Sequence, residues 1–96
     1  MIGVVILNYN SMSDTLKCIE YLTKQTGVDL DIIVIDNASA SRHDVDALET
    51  ACDVKNIRFR AEQHNRGYNA GNNVGIRMAL EDGCDAVMIA NPDMEF

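Results

Sequence analysis

Ninety-six residues hold one small domain and leave no room for a second, since a chain this short buries only about 60–65% of its unfolded surface. With 47% hydrophobic and 24% charged residues, the composition excludes disordered, collagen-like and coiled-coil chains. Eight basic against fifteen acidic side chains give a net charge of −7, which argues against a nucleic-acid backbone or an anionic membrane as partner unless positive charge is locally concentrated; only Arg58, Arg60 and Arg66 come near to clustering in sequence.

Ile2 to Leu7 is a continuous β-branched run of the kind buried on both faces of a parallel sheet. Leu16, Ile19 and Leu22 then recur at threes, with Ser11 or Ser13 as N-cap and Gly27 as stop, and predict a first helix. Ile32 to Ile35 repeats the buried-strand pattern. A second helix follows, with Val45, Leu48 and Cys52 on one face and Ser41 as its cap. Ile57 to Ala61 alternates, as an edge strand with one wet face should. The third helix is predicted from about Ala70 to Asp82, closed by Gly83. It carries Gly71, Gly75 and Ala79 four apart, and the small side chains of Gly75 and Ala79 are read as allowing the helix to lie close on the sheet. Ala86 to Ala90 reads as a fourth strand of the buried type. The order β-α-β-α-β-α-β predicts an α/β fold, a parallel sheet with helices on both faces and right-handed crossovers.

Cys18, Cys52 and Cys84 lie more than thirty residues apart and form no metal pair; they are read as reduced core thiols, in keeping with a cytoplasmic location. No apolar run approaches the roughly 20 residues of a membrane span, and no basic segment precedes the first strand as in a signal peptide. The sequence stops at Phe96 without a turn or tail and is expected to be a fragment.

In an open parallel α/β sheet, ligands bind outside the carboxyl ends of the strands. Those ends read Asn8-Tyr9-Asn10, Asp36-Asn37-Ala38-Ser39, Glu62 through Gly67, and Asn91-Pro92-Asp93-Met94-Glu95. Each cluster alone is ordinary turn chemistry. Four polar clusters on one rim, with an aromatic ring and carboxylates among them, point to a polar ligand. Tyr9 offers a ring face for a base, and Asp36 or Asn37 an acceptor for a base imino group or a ribose hydroxyl. Phosphate-loop and dinucleotide signatures are absent, Asn8 and Asn10 stand where a response regulator needs acids, and no Gly-rich basic loop follows the first strand. His43 and His64 lack partners at metal-ligand spacing and stay outside the site.

Val4-Val5-Ile6-Leu7-Asn8-Tyr9-Asn10, Ile33-Val34-Ile35-Asp36-Asn37-Ala38-Ser39, the run from Asn65 to Gly75, and Ile89-Ala90-Asn91-Pro92-Asp93-Met94-Glu95-Phe96 resemble the successive signature blocks of family 2 glycosyltransferases. They look most like its bacterial rhamnosyltransferase-type branch. The resemblance spans the whole chain in the right order and implies the Rossmann-like GT-A nucleotide-binding half, strand order 3-2-1-4, with residues 1–96 as the N-terminal nucleotide-sugar-binding part. It implies that Asn8, Tyr9 and Asn10 line the base pocket, Tyr9 against a pyrimidine, while Asp36 or Asn37 reads the base edge. The Asn65 to Gly75 block, with Asn65, Gly67 and Asn72 as contacts, would wrap the nucleotide and open the third helix, whose N-terminus suits an anion.

Asn91-Pro92-Asp93 stands where the family carries Asp-x-Asp. Asp93 is the implied ligand of Mg²⁺ or Mn²⁺, needed to offset a departing diphosphate, and Asn91 the implied ribose or sugar contact. The implied activity transfers a sugar from a nucleoside-diphosphate donor, dTDP- or UDP-linked, to a glycan acceptor with inversion. Its general base, an Asp or Glu, is expected beyond Phe96, so residues 1–96 alone are expected to be inactive. A nucleotide-binding module without catalysis is the alternative. The implied strand order leaves Ala86 to Ala90 on an open edge, which predicts a homodimer through that strand.

Overall fold

The computed structural model describes residues 1–25, 27 and 29–90. Its elements alternate as β1 (Ile2–Asn8), α1 (Met12–Thr23), β2 (Leu30–Asp36), α2 (Arg42–Val54), β3 (Arg58–Ala61), α3 (Tyr68–Glu81) and β4 (Ala86–Ala90). The strands form one parallel sheet in the order β3-β2-β1-β4, as expected. β1 and β2 run in register from Ile2 opposite Leu30 to Asn8 opposite Asp36, so both central strands end at the same height.

Successive side chains of a strand face opposite ways, and the two central strands are apolar on both faces. Val4, Ile6, Ile32 and Val34 pack with Cys18, Ile19 and Leu22 of α1 and with Leu48 and Cys52 of α2. Val5, Ile33 and Ile35 pack on the other face with Met78 and Ala79 of α3. Three layers result. All three cysteines are free and buried; burial raises the Cys18 thiol and, with some help from Glu49, pushes Cys52 up to about 11.

The small residues of α3 set how deep it lies. A Cβ on Gly75 would stand 2.4 Å from Cγ1 of Val5, and one on Gly71 2.5 Å from Cδ1 of Leu7. The packing role read for Gly75 and Ala79 therefore holds, and Ala79 itself is wholly buried.

Several expectations are adjusted. Ser41 caps α2 as predicted, its hydroxyl accepting from the amide of Asp44 at 3.2 Å. Ser11 sits at the N-cap of α1, where its carbonyl accepts from the Thr15 amide at 2.9 Å but its side chain makes no cap hydrogen bond. α3 starts at Tyr68, earlier than the sequence suggested, with Gly67 at its N-cap in the left-handed region at φ 97°. Ile57 lies outside β3: its amide closes the end of α2 on the carbonyl of Cys52 at 2.8 Å.

β4 is not buried on both faces. Ala86 and Met88 are exposed, Met88 at 48%, while Val87 and Ile89 are half-buried. Met88 pairs with Val4 and shares the face covered by α1 and α2, but of β4 only Ala90, 3% exposed, joins the core beneath those helices. Hydrophobicity alone does not reveal which strand lacks a cover.

At the amino-terminal rim of the sheet, Arg58 donates to the carboxylate of Asp82, and the Cys84 thiol donates to Oδ2 of Asp31 at 3.6 Å. Burial, followed by a hydrogen bond to Asp82, raises Asp31 above the usual carboxylate range. That bond, followed by the one from Arg58, lowers Asp82. A seven-residue strand spans about 20 Å, so this rim is remote from the carboxyl ends.

Candidate functional site

β1 and β2 end side by side, which brings Asn8 against Asp36 although they are far apart in sequence. Asn8 is 2% exposed and uses its whole amide. Its Nδ2 donates to Oδ1 of Asp36 at 2.8 Å and to Oγ of Ser39 at 3.3 Å. Its Oδ1 accepts from Thr15 at 2.7 Å and Ser11 at 3.3 Å. The Ser11 side chain is turned to the strand end and not to the helix: its hydroxyl donates to Asn8 and its oxygen accepts from the Tyr9 amide at 3.4 Å.

Asp36 is equally committed. Beyond Asn8, it accepts from the Ser39 hydroxyl at 2.6 Å and, on Oδ2, from the Ser39 amide at 3.1 Å. A buried carboxylate survives only with such partners. The turn it organises holds Ala38 at φ 60°, a left-handed conformation that costs an alanine about 1–2 kcal/mol. Asn10, at φ 52°, completes the bridge: its amide donates to Ser39 Oγ at 2.9 Å and its Oδ1 accepts from Ala40 at 2.8 Å.

The next strand end is tied in through Asn37, whose Nδ2 donates to Oδ1 of Asn65 at 3.0 Å and to the carbonyl of Gly67 at 3.5 Å. Asn65 Oδ1 also accepts from the Gly67 amide at 2.8 Å, which fixes the entry to α3. The structure thus brings Asn8, Asn10, Asp36, Asn37, Asn65 and Gly67 into one connected rim. Tyr9 stands on it, 49% exposed, with its ring available to a planar ligand.

Asn72 is 5% exposed, and its Oδ1 has no hydrogen-bond partner. It sits one turn before Ile76, which packs in the same layer as Val87 and Ile89 of β4. A buried carbonyl oxygen left unpaired costs about 1–3 kcal/mol, which a ligand hydroxyl or a metal-bound water donating to it would recover. Asn91 and Asp93 lie outside the described residues, as does the rest of the fourth strand end. Among the described residues no group of three or more His, Cys, Asp or Glu side chains could hold a metal. Asn72 Oδ1, a buried side-chain oxygen without a partner among the described residues, is of the type a hard, hydrated divalent cation accepts, and Asp93 is the carboxylate ligand expected from the sequence.

Sequence reasoning missed Thr15, read Ser11 only as a helix cap and named Ser39 only within a strand-end cluster, although the three together bond Asn8 and Asp36. Nearness to the strand end was the one signal that could have marked Thr15.

The profile of glycosyl transferase family 2 matches residues 3–96. The chain belongs to this family. It is 32% identical over 95 residues to the low-salt glycan biosynthesis hexosyltransferase of Haloferax volcanii, an alignment covering 98% of this chain and 28% of that protein. Its fold is shared with a mannosyltransferase of Pyrobaculum calidifontis solved in complex with GDP-Man and Mn²⁺, at a TM-score of 0.76 and 19% identity over 96% of this chain and 27% of that one. The chain therefore spans little more than a quarter of the length of either protein, and at that identity the second likeness establishes the fold alone. In this family 2 domain, Asn8 and Asp36 are buried and hydrogen-bonded to one another and to Ser11, Thr15 and Ser39. Tyr9 presents its surface outwards. Among the described residues no helix is long and apolar enough to cross a membrane.

Proposed function

We propose that this family 2 domain binds the nucleotide of a nucleoside-diphosphate sugar and serves transfer of that sugar, with inversion, to a glycan acceptor. The observation that carries the reading is the rim at the ends of β1 and β2: a fully bonded Asn8–Asp36–Ser39 cluster holding an exposed tyrosine in place. A preorganised polar floor beneath an open aromatic face suits a base and ribose. The hexosyltransferase relative and the Mn²⁺- and GDP-Man-bound neighbour support the donor class.

The base is read as a pyrimidine stacked on Tyr9, with Asn37 or the second lone pair of Asp36 Oδ2 taking its edge. Rhamnose, from dTDP or UDP, is the sugar the motif pattern favours. Mg²⁺ or Mn²⁺ at Asp93 would supply charge neutralisation for the departing diphosphate, and Asn91 would hold the ribose or sugar. The protein is placed in the cytoplasm, where its nucleotide donors and its reduced thiols agree. Residues 1–96 are read as binding without turnover, because the Asp or Glu that would deprotonate the acceptor is expected beyond Phe96.

Isothermal titration of UDP, dTDP and GDP with and without Mn²⁺, on the chain and on Asp93→Asn, tests this reading. The expected result is pyrimidine-selective binding that Mn²⁺ strengthens in the parent only. Absence of binding by every nucleotide would remove the proposal, and sugar transfer by residues 1–96 would remove its second half. Binding without any Mn²⁺ effect in the parent would favour the non-catalytic module.

A further inference from the structure

A cavity of about 630 Å³ opens beside the rim, between the edge strand β3 and the flank of α3. Arg60 pairs with Ile35 and shares its face, so its side chain rises next to the helix. α3 runs antiparallel to β3 and presents Asn73 and Arg77 to the same space, while Arg66 and His64 close the end near the rim. The trough exists because Gly71 and Gly75 let α3 sink onto β1 and β2, leaving β3 uncovered on this side.

The charge in this trough opposes that of the molecule. The net charge is −7, yet three of the five arginines line one cavity. Its one acid, Glu62, faces Arg60. Arg66 and Arg77 form no ion pair among the described residues. α3 adds to the field: it has no acidic residue in its first turn and no side chain capping its N-terminus, which lies beside Arg66.

We propose that this groove is an anion site for a phosphate group, gripped by the forks of Arg60, Arg66 and Arg77 and distinct from the place of the donor diphosphate. Guanidinium groups match phosphate oxygens in pairs, and three of them in one concave space outweigh a single partnered carboxylate. The separation rests on the reading of Asp93 given above. In the order β3-β2-β1-β4 the ends of β3 and β4 lie three strand spacings apart, about 14 Å, so one phosphate cannot serve both. Soluble phosphate esters and lipid headgroups offer the same chemistry to the groove.

The test uses the ¹⁵N-labelled chain, titrated with inorganic pyrophosphate in the absence of divalent metal and followed at the arginine Nε–H signals. Saturable shifts are expected at Arg60, Arg66 and Arg77, with affinity roughly tenfold lower in Arg77→Gln and in Arg60→Gln, one lost charge-assisted contact. Arg77→Lys, which keeps the charge without the fork, should fall between. Arg42→Gln, whose guanidinium pairs with Asp46 on α2, should bind as the parent does. Circular dichroism of each variant separates lost binding from lost fold. Co-sedimentation with phosphatidic acid vesicles, against phosphatidylcholine alone, assigns the source: pyrophosphate-displaceable sedimentation marks a lipid phosphate, and pyrophosphate binding without sedimentation a soluble one. No saturable shift with pyrophosphate, or equal affinity in parent and folded Arg77→Gln, overturns the proposal whatever the vesicles do. If UDP with Mn²⁺ fails to shift the Tyr9 and Asn10 amides while pyrophosphate still fills the groove, the nucleotide reading falls and the groove stands.

Discussion

Replacing Gly75 by alanine sets two effects of opposite sign against each other. Inside a helix the change gains about 1 kcal/mol of propensity. Here the added methyl would stand 2.4 Å and 3.0 Å from the two γ-carbons of Val5 and 3.3 Å from Cγ1 of Ile35. Both neighbours are wholly buried in the central strands, and a β-branched side chain there has no free rotamer to retreat to. The helix must lift by about 1 Å, which places the penalty at the upper end of the range of about 1–3 kcal/mol for overpacking, or above it. A net loss of about 2 kcal/mol follows, or about 8–16 °C in Tm for a domain of this size. Gly71→Ala is the control, because its close neighbour is Cδ1 of Leu7, the far end of a flexible, half-buried side chain. That atom can swing aside, so part of the propensity gain of about 1 kcal/mol should survive and Gly71→Ala should not be destabilised. Thermal and urea unfolding measure both. A Gly75→Ala variant as stable as the parent, or a Gly71→Ala variant equally damaged, would refute the account of how α3 docks.

Tyr9→Ala should weaken nucleotide binding with and without Mn²⁺ by about 1–3 kcal/mol, the range for a base stacked on an aromatic ring; its exposure means unfolding should barely change, and calorimetry of both quantities checks the split. Asp31 is raised above its ordinary 3.8, so the stability it contributes is complete below that value and is lost as pH rises through its folded value. Asp82 is lowered, and its contribution disappears only as pH falls through its own folded value. Asp31→Asn should therefore remove the decline in Tm attributable to this pair above about pH 4, and a difference from the parent that does not vary with pH would contradict the shared proton. β4 is an open edge carrying the half-exposed Met88, and pairing with a second copy is expected in sedimentation experiments. Met88→Lys should give a monomer, and a parent that is monomeric at high concentration would dismiss the edge contact.

The fold was legible wherever one side chain's chemistry decides its surroundings. Val4 to Ile6 and Ile32 to Ile35 are apolar on both faces, and such strands must lie inside. The same rule failed for Ala86 to Ala90, because an apolar run reports what should be covered and not whether a helix reaches it. At the site, the positions of Asn8, Asp36 and Asn37 followed from the rule that strand ends bear the ligand. Their bonding did not follow, since Asn8 draws on Thr15 of α1 and on Ser39 after β2, and Asn37 on Asn65 and Gly67 before α3. Arginine clustering shows the limit most sharply. Sequence proximity grouped Arg58 with Arg60 and Arg66, yet only the last two share the groove, where Arg77 of the antiparallel α3 joins them. Arg58 meets Asp82 at the end of the helix, while Arg60, one pleat further on, shares a groove with Arg77 from the middle of it. Two arginines on one face of one strand thus acquire different electrostatic surroundings, Arg58 bound in a carboxylate pair and Arg60 in a groove shared with two further guanidinium groups. Only the depth of α3, set by glycines that look inert in the sequence, distinguishes them.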